Sequence, residues 1–100
     1  MILVLGKAQV QPDKLDDALA ISQAHVLRSR AEPGCIEHGV HRSHDAPDTL
    51  VFIERWQDKA ALQQHFAVPA SRQFAKALTA LCVVPPVVEL LEARSLPRAG

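Results

Sequence analysis

The sequence predicts one α+β domain in which four strands and two helical regions follow the order strand, helix, strand, strand, helix, strand. Four segments are short, rich in Val, Ile and Leu, and bounded by turn-forming residues, as strands are. Two segments between them repeat apolar residues at i, i+3 and i+4, as amphipathic helices do. The chain has 100 residues, 48% apolar and 22% charged, which is the length of one core and the balance of a folded domain.

Ile2 to Val10 is broken only by Gly6 and suits a strand covered on both faces. Pro12 fits a first helical position, and Asp13, Asp16 and Asp17 put negative charge at the positive end of a helix. Leu15, Ala18, Leu19, Ser22 and Val26 then form the buried stripe, with Arg28 and Arg30 at the C-terminal end. Glu32-Pro33-Gly34 stops the helix; it reads as a turn without chemistry in which Gly34 can take a positive φ. Cys35 to Arg42 alternates, placing Ile36, His38, Val40 and Arg42 on one face, and residues 43–48 have turn composition. Leu50 to Trp56 is the most apolar strand, with Phe52, Glu54 and Trp56 on one face. Asp58 can cap a second helix that carries Leu62, His65 and Phe66 on its core face. Pro69 restarts or kinks that helix, and Phe74, Leu78 and Leu81 continue its stripe. After Pro85-Pro86, Val87 to Ala93 is a last strand whose prolines favour a sheet edge.

This order is the split βαβ pattern of a ferredoxin-like fold, for which short connections and right-handed crossovers give an antiparallel sheet of order 4-1-3-2. Residues 1–93 form the domain and 94–100 a loose tail. Both helices cover one sheet face, yet the first and third strands are apolar on both, so a second copy is expected on the open face, making a homodimeric α+β barrel. Eleven basic and eleven acidic side chains give no net charge, which disfavours nucleic acid and anionic lipid and leaves little repulsion between copies. The apolar start is too short for a signal or a membrane span, so a cytoplasmic protein is expected, with no membrane partner. Cys35 and Cys82 form no CxxC pair and are expected as buried free thiols.

If Phe52, Glu54 and Trp56 face the helices, then a carboxylate and an indole meet His65 in an apolar cleft, the make-up of a small-molecule pocket. His65 is the candidate base for a phenolic proton and Glu54 its catalytic companion. Trp56, Phe52, Phe66, His38 and Phe74 are the candidate substrate contacts. Each also has a structural reading: a buried Glu54 must be paired, for instance with Arg30, and Trp56 can be core or interface packing. His38, His41 and His44 suggest a metal, but His41 points away from the other two on a strand, so no metal site is expected. No GxGxxG or other phosphate cradle occurs, so no nucleotide cofactor is expected.

Glu32-Pro33-Gly34-Cys35 after the first helix, Glu54-Arg55-Trp56 ending the third strand, Asp58 with Ala60-Ala61-Leu62, and His65-Phe66 together resemble the antibiotic biosynthesis monooxygenase (ABM) domain. The likeness runs from the first strand to about Glu92. It implies a dimer, and its members include cofactor-free oxygenases of phenols and quinols, haem-degrading enzymes and an autoinducer-processing branch. The haem-degrading branch resembles an Asn, His and Trp constellation; this chain has no Asn, Lys7-Ala8 stands in the Asn region, and His65 falls where the Trp would lie. Haem degradation is therefore disfavoured. His38 stands where members often carry tyrosine, and the chain has no Tyr. The resemblance thus implies a cofactor-independent monooxygenase acting on a small aromatic phenol or quinol. The alternative is a non-catalytic, dimeric ligand-binding protein of the same fold.

Overall fold

A computed structural model describes residues 1–98. Its elements are β1 (Ile2–Gln9), α1 (Leu15–Arg30), β2 (Cys35–Arg42), β3 (Thr49–Trp56), α2 (Lys59–Ala67), α3 (Pro69–Leu81) and β4 (Val87–Glu92). The four strands form one antiparallel sheet in the order β2-β3-β1-β4, the expected ferredoxin-like α+β arrangement. The central pair sets Ile2 opposite Trp56 and Gly6 opposite Phe52.

Local chemistry moves one boundary from that expected and fixes another where the sequence puts it. Pro12–Lys14 form a separate 3-10 turn, so α1 begins at Leu15 rather than at the proline. The second helical region breaks at Val68, whose extended backbone (ψ 124°) is the conformation favoured before a proline, and Pro69 opens α3. Asp58 caps α2 as expected, its Oδ1 accepting the Ala61 N–H at 2.9 Å. β4 lies at the edge of the sheet, where the prolines before it cost no ladder bond. Of the expected 94–100 tail, residues 94–98 belong to no regular element and the rest lies outside the described residues.

Every second residue of β1 and β3 is buried on the helix-covered face. There the core divides in two: Ala8, Val10, Leu15, Ala18, Leu50, Phe52 and Leu78 at one end, and Ile2, Val4, Trp56, Ala61 and Leu62 at the other. Gly6 and Glu54 lie between the two ends along their strands. The opposite face carries Leu3, Leu5, Val51, Ile53 and Leu91, half-buried or exposed, beside Lys7 and Arg55. Cys35 and Cys82 are free thiols, half-buried rather than buried as expected. No helix among the described residues is long and apolar enough to cross a membrane.

Gly34 carries the turn between α1 and β2 at φ 81°, and a Cβ there would stand 2.5 Å from the Ala61 Cβ. Its carbonyl also accepts the Gln57 N–H at 2.8 Å. The turn is thereby fastened against the start of α2, which brings Glu32 alongside that helix.

Candidate active site

Between the two apolar ends lies a group of buried polar side chains from four elements: His25 (α1), His38 (β2), Glu54 (β3) and His65 (α2). Strand parity puts Glu54 on the helix-covered face with Phe52 and Trp56, and register puts His38 directly opposite it. His65 follows Leu62 by one turn of α2, so both point at the sheet. His25 falls on the inward stripe of α1 formed by Leu15, Ala18, Ser22, Val26 and Ser29.

Burial of so many polar atoms requires partners. The Trp56 indole N–H donates to Glu54 Oε1 at 2.9 Å, and His38 Nε2 lies 3.2 Å from the same oxygen. Burial pushes the Glu54 carboxyl up, but His38, the Trp56 N–H and His65 outweigh it and hold the group below its ordinary value. The expected pairing of Glu54 with Arg30 does not form, because the Arg30 guanidinium donates instead to the His38 carbonyl at 2.9 Å. His65 Nδ1 lies 2.7 Å from Glu32 Oε1, and its Nε2 lies 4.0 Å from Glu54 Oε1. Glu32, expected to be only part of a turn, is therefore the group that orients His65. His25 stacks flat on Phe74 (centroids 4.0 Å apart, 7° between planes), and Arg28 Nη2 contacts its Nδ1 at 2.6 Å. Burial, together with repulsion from His38, His65 and Arg28, lowers the His25 pKa from 6.5 to about 3.

These residues border a cavity of about 290 Å³. Gly6, Phe52 and Glu54 form its sheet wall, His25, His65 and Phe74 its helix wall, and Phe66 with Val88 flank its outer edge. Among the described residues the His25 and His65 Nε2 atoms have no hydrogen-bond partner and stay open to this space, whereas the His38 ring is sealed from it, with Nε2 against Glu54 and Nδ1 unpaired. Of the expected contacts, Phe52, Phe66 and Phe74 lie on the wall. Phe66 is 44% exposed, at the rim rather than in the core as its spacing suggests. His38 and Trp56 lie behind the wall: Trp56 is fully buried, 4.6 Å from the His65 ring, and so supports the imidazole instead of facing a ligand.

Of the three histidines His38, His41 and His44, the first is buried and the other two are exposed. A different trio converges, with one nitrogen from each of His25, His38 and His65 within 4.8 Å of one another. A tetrahedral zinc site, with bonds of about 2.0–2.1 Å, needs its nitrogens about 3.3 Å apart, so these rings would have to close inward. Glu32 on His65 Nδ1 suits a metal ligand, but Arg28 on His25 Nδ1 leaves the proton on the nitrogen that faces inward. That polarity favours a neutral or anionic guest over a cation.

An apolar cavity beside a carboxylate-held histidine, in an α+β sheet domain, has the make-up of a candidate small-molecule site. The chain belongs to the antibiotic biosynthesis monooxygenase family, whose sequence model matches residues 1–77. It is 33% identical over 89 residues to the uncharacterised protein sll1783 of Synechocystis, covering 89% of this chain and 60% of that protein's length. It is 32% identical over 65 residues to a Bacillus subtilis protein named "Putative monooxygenase YcnE", covering 65% of this chain and 68% of the relative. The solved structure of Rv0793 from Mycobacterium tuberculosis superposes with a TM-score of 0.88 at 25% identity, covering 97% of this chain and 98% of the other.

Proposed function

We propose that the protein is a homodimeric, cofactor-independent monooxygenase that oxidises a small phenol or quinol in the cavity beside His65. The observation that carries this reading is the paired placement of His65: Glu32 accepts the hydrogen bond of Nδ1–H, so Nε2 presents a lone pair to an apolar cavity. A cavity of about 290 Å³ lies near the lower end of the ~300–1,000 Å³ range of ligand pockets, which fits one or two aromatic rings.

In the proposed reaction His65 Nε2 takes the hydroxyl proton, and the imidazolium is stabilised by Glu32 on one side and Glu54 on the other. The phenolate gives one electron to dioxygen, and the resulting radical pair joins to form a carbon–oxygen bond. His65 returns its proton to the peroxide, the O–O bond breaks as the ring C–H is lost, and quinone and water leave. Phenol plus dioxygen thus balances to quinone plus water, with no external reductant. The open sheet face supports the dimer, since Leu3, Leu5, Val51 and Ile53 have no helix above them.

Oxygen uptake with a panel of quinols and naphthols tests the reading. His65→Ala should lower the rate by about a hundredfold or more, the usual share of a positioned base, while the variant still melts cooperatively. Tight binding of the panel by wild type without oxygen uptake would select the binding-protein alternative, and full activity in a folded His65→Ala variant would remove His65 from the mechanism.

A further inference from the structure

We infer that His25 is a second ligand-contacting residue, whose Nε2–H donates to the same oxygen that gives its proton to His65, so that the cavity selects hydroxy-aromatic molecules as phenolates. The inference rests on the reading of this cavity as the substrate site and adds how the site recognises charge.

Two opposite contacts fix the polarity. A guanidinium can only donate, so Arg28 at 2.6 Å makes His25 Nδ1 an acceptor and leaves the ring proton on Nε2. A carboxylate accepts, so Glu32 at 2.7 Å makes His65 Nδ1 the donor and leaves Nε2 bare. The two rings lie 5.2 Å apart on the same wall, and both Nε2 atoms are open to the cavity. A hydroxyl group placed between them meets one donor and one acceptor, a complement that an ether or a carbonyl, which can only accept, cannot satisfy in full. The depressed basicity of His25 keeps its ring neutral near neutral pH, so it serves as a hydrogen-bond donor without becoming an acid.

Charges from every surrounding element bear on the guest. Arg28 and His25 come from α1, Glu32 from the turn, His38 from β2, Glu54 from β3 and His65 from α2; Lys7 of β1 borders the cavity at a position whose side chain belongs to the opposite sheet face, and α3 contributes the uncharged Phe74 and Ser71. The Glu54 carboxylate would repel a phenolate, but Trp56 and His38 already hold it. Once His65 has taken the proton, its imidazolium stands between the two anions. Arg28 acts through His25 and is a positioning residue.

The test needs no turnover. 4-Nitrophenol absorbs differently as phenol and phenolate, so titrating it on the protein reads its ionisation in the site, with nitrobenzene as the non-ionising control. Wild type should bind the phenolate form preferentially. His25→Phe, which keeps the stack on Phe74, should lower the bound phenolate-to-phenol ratio about tenfold, the scale of one hydrogen bond to an anion, and change nitrobenzene affinity by less than that. Arg28→Met should move the ratio in the same direction, and Arg28→Lys, which restores a donor to Nδ1, should recover part of it; melting curves would check each fold. An unchanged ratio in folded His25→Phe overturns the inference, as does a wild type that shows no preference for 4-nitrophenol over nitrobenzene. A phenolate preference without oxygen uptake would sustain it while removing the oxygenase reading.

Discussion

Replacing Gly34 by alanine tests how the α1–β2 turn positions the site. The backbone there has φ 81°, a region that costs an L-residue about 1–2 kcal/mol. The new methyl group would lie 2.5 Å from the Ala61 Cβ, whereas carbon atoms rest about 3.5–4.0 Å apart, so the turn and α2 must separate by about an ångström. Overpacking of this size costs about 1–3 kcal/mol, and the stiffer unfolded chain gives back about 0.4–1 kcal/mol. The net loss is about 2–4 kcal/mol, or a fall in Tm of roughly 10–25 °C for a domain of this length. Thermal unfolding followed by far-ultraviolet circular dichroism measures it directly. A double variant, Gly34→Ala with Ala61→Gly, should recover the collision but not the backbone strain, leaving a coupling of about 1–3 kcal/mol between the sites. The same displacement moves Glu32 from His65, so activity per folded molecule should also fall. A Tm within about 4 °C of wild type, or strictly additive effects, would refute the account of this turn.

Trp56→Phe keeps most of the ring packing but removes the N–H that reaches Glu54; it should cost about 1.5–3 kcal/mol and raise the carboxyl pKa, visible by NMR titration of the Glu54 side chain. Stability should fall on acidification from pH 6.5 to about 3, because unfolded His25 takes a proton that the folded protein refuses until its pKa of about 3 is reached. The slope from this residue is about 1.4 kcal/mol per pH unit, and His25→Phe should flatten it in denaturant titrations at stepped pH. Glu54 adds to the loss with the same sign, but only as the pH drops from its ordinary value through the lowered one in the folded protein. Light scattering should find a dimer at micromolar concentration and a monomer after Ile53→Glu on the open sheet face; a wild-type monomer would refute the proposed assembly.

Strand parity and helix period made the fold legible. The alternation in Leu50 to Trp56 put Phe52, Glu54 and Trp56 on one face, because a two-residue repeat leaves no freedom once one position is assigned, but left open whether the helices cover that face. It could not say how deep each side chain sits, and so could not separate Phe52 on the cavity wall from Trp56 behind it. His25 was missed because a histidine interrupts an apolar stripe in composition, although it sits three residues after Ser22 and four before Ser29 on the same face. Glu32 was missed for another reason: a charged residue before Pro-Gly reads as solvent-facing, and only the packing of Gly34 on Ala61 carries it to His65. Contacts between residues 33 apart in the chain belong to tertiary structure and leave no local periodic trace.

The chain contains one tryptophan and no tyrosine, and that indole is fully buried with its ring 4.6 Å from His65. Its near-ultraviolet emission therefore comes from a single fluorophore beside the imidazole. A protonated imidazole quenches indole emission by accepting an excited electron, and the rings of His65 and His38 lie 4.6 and 6.1 Å from the indole, so a charge on either should dim it. An unlabelled sample carries its own optical gauge, in which proton capture and release can be followed in a stopped-flow cell.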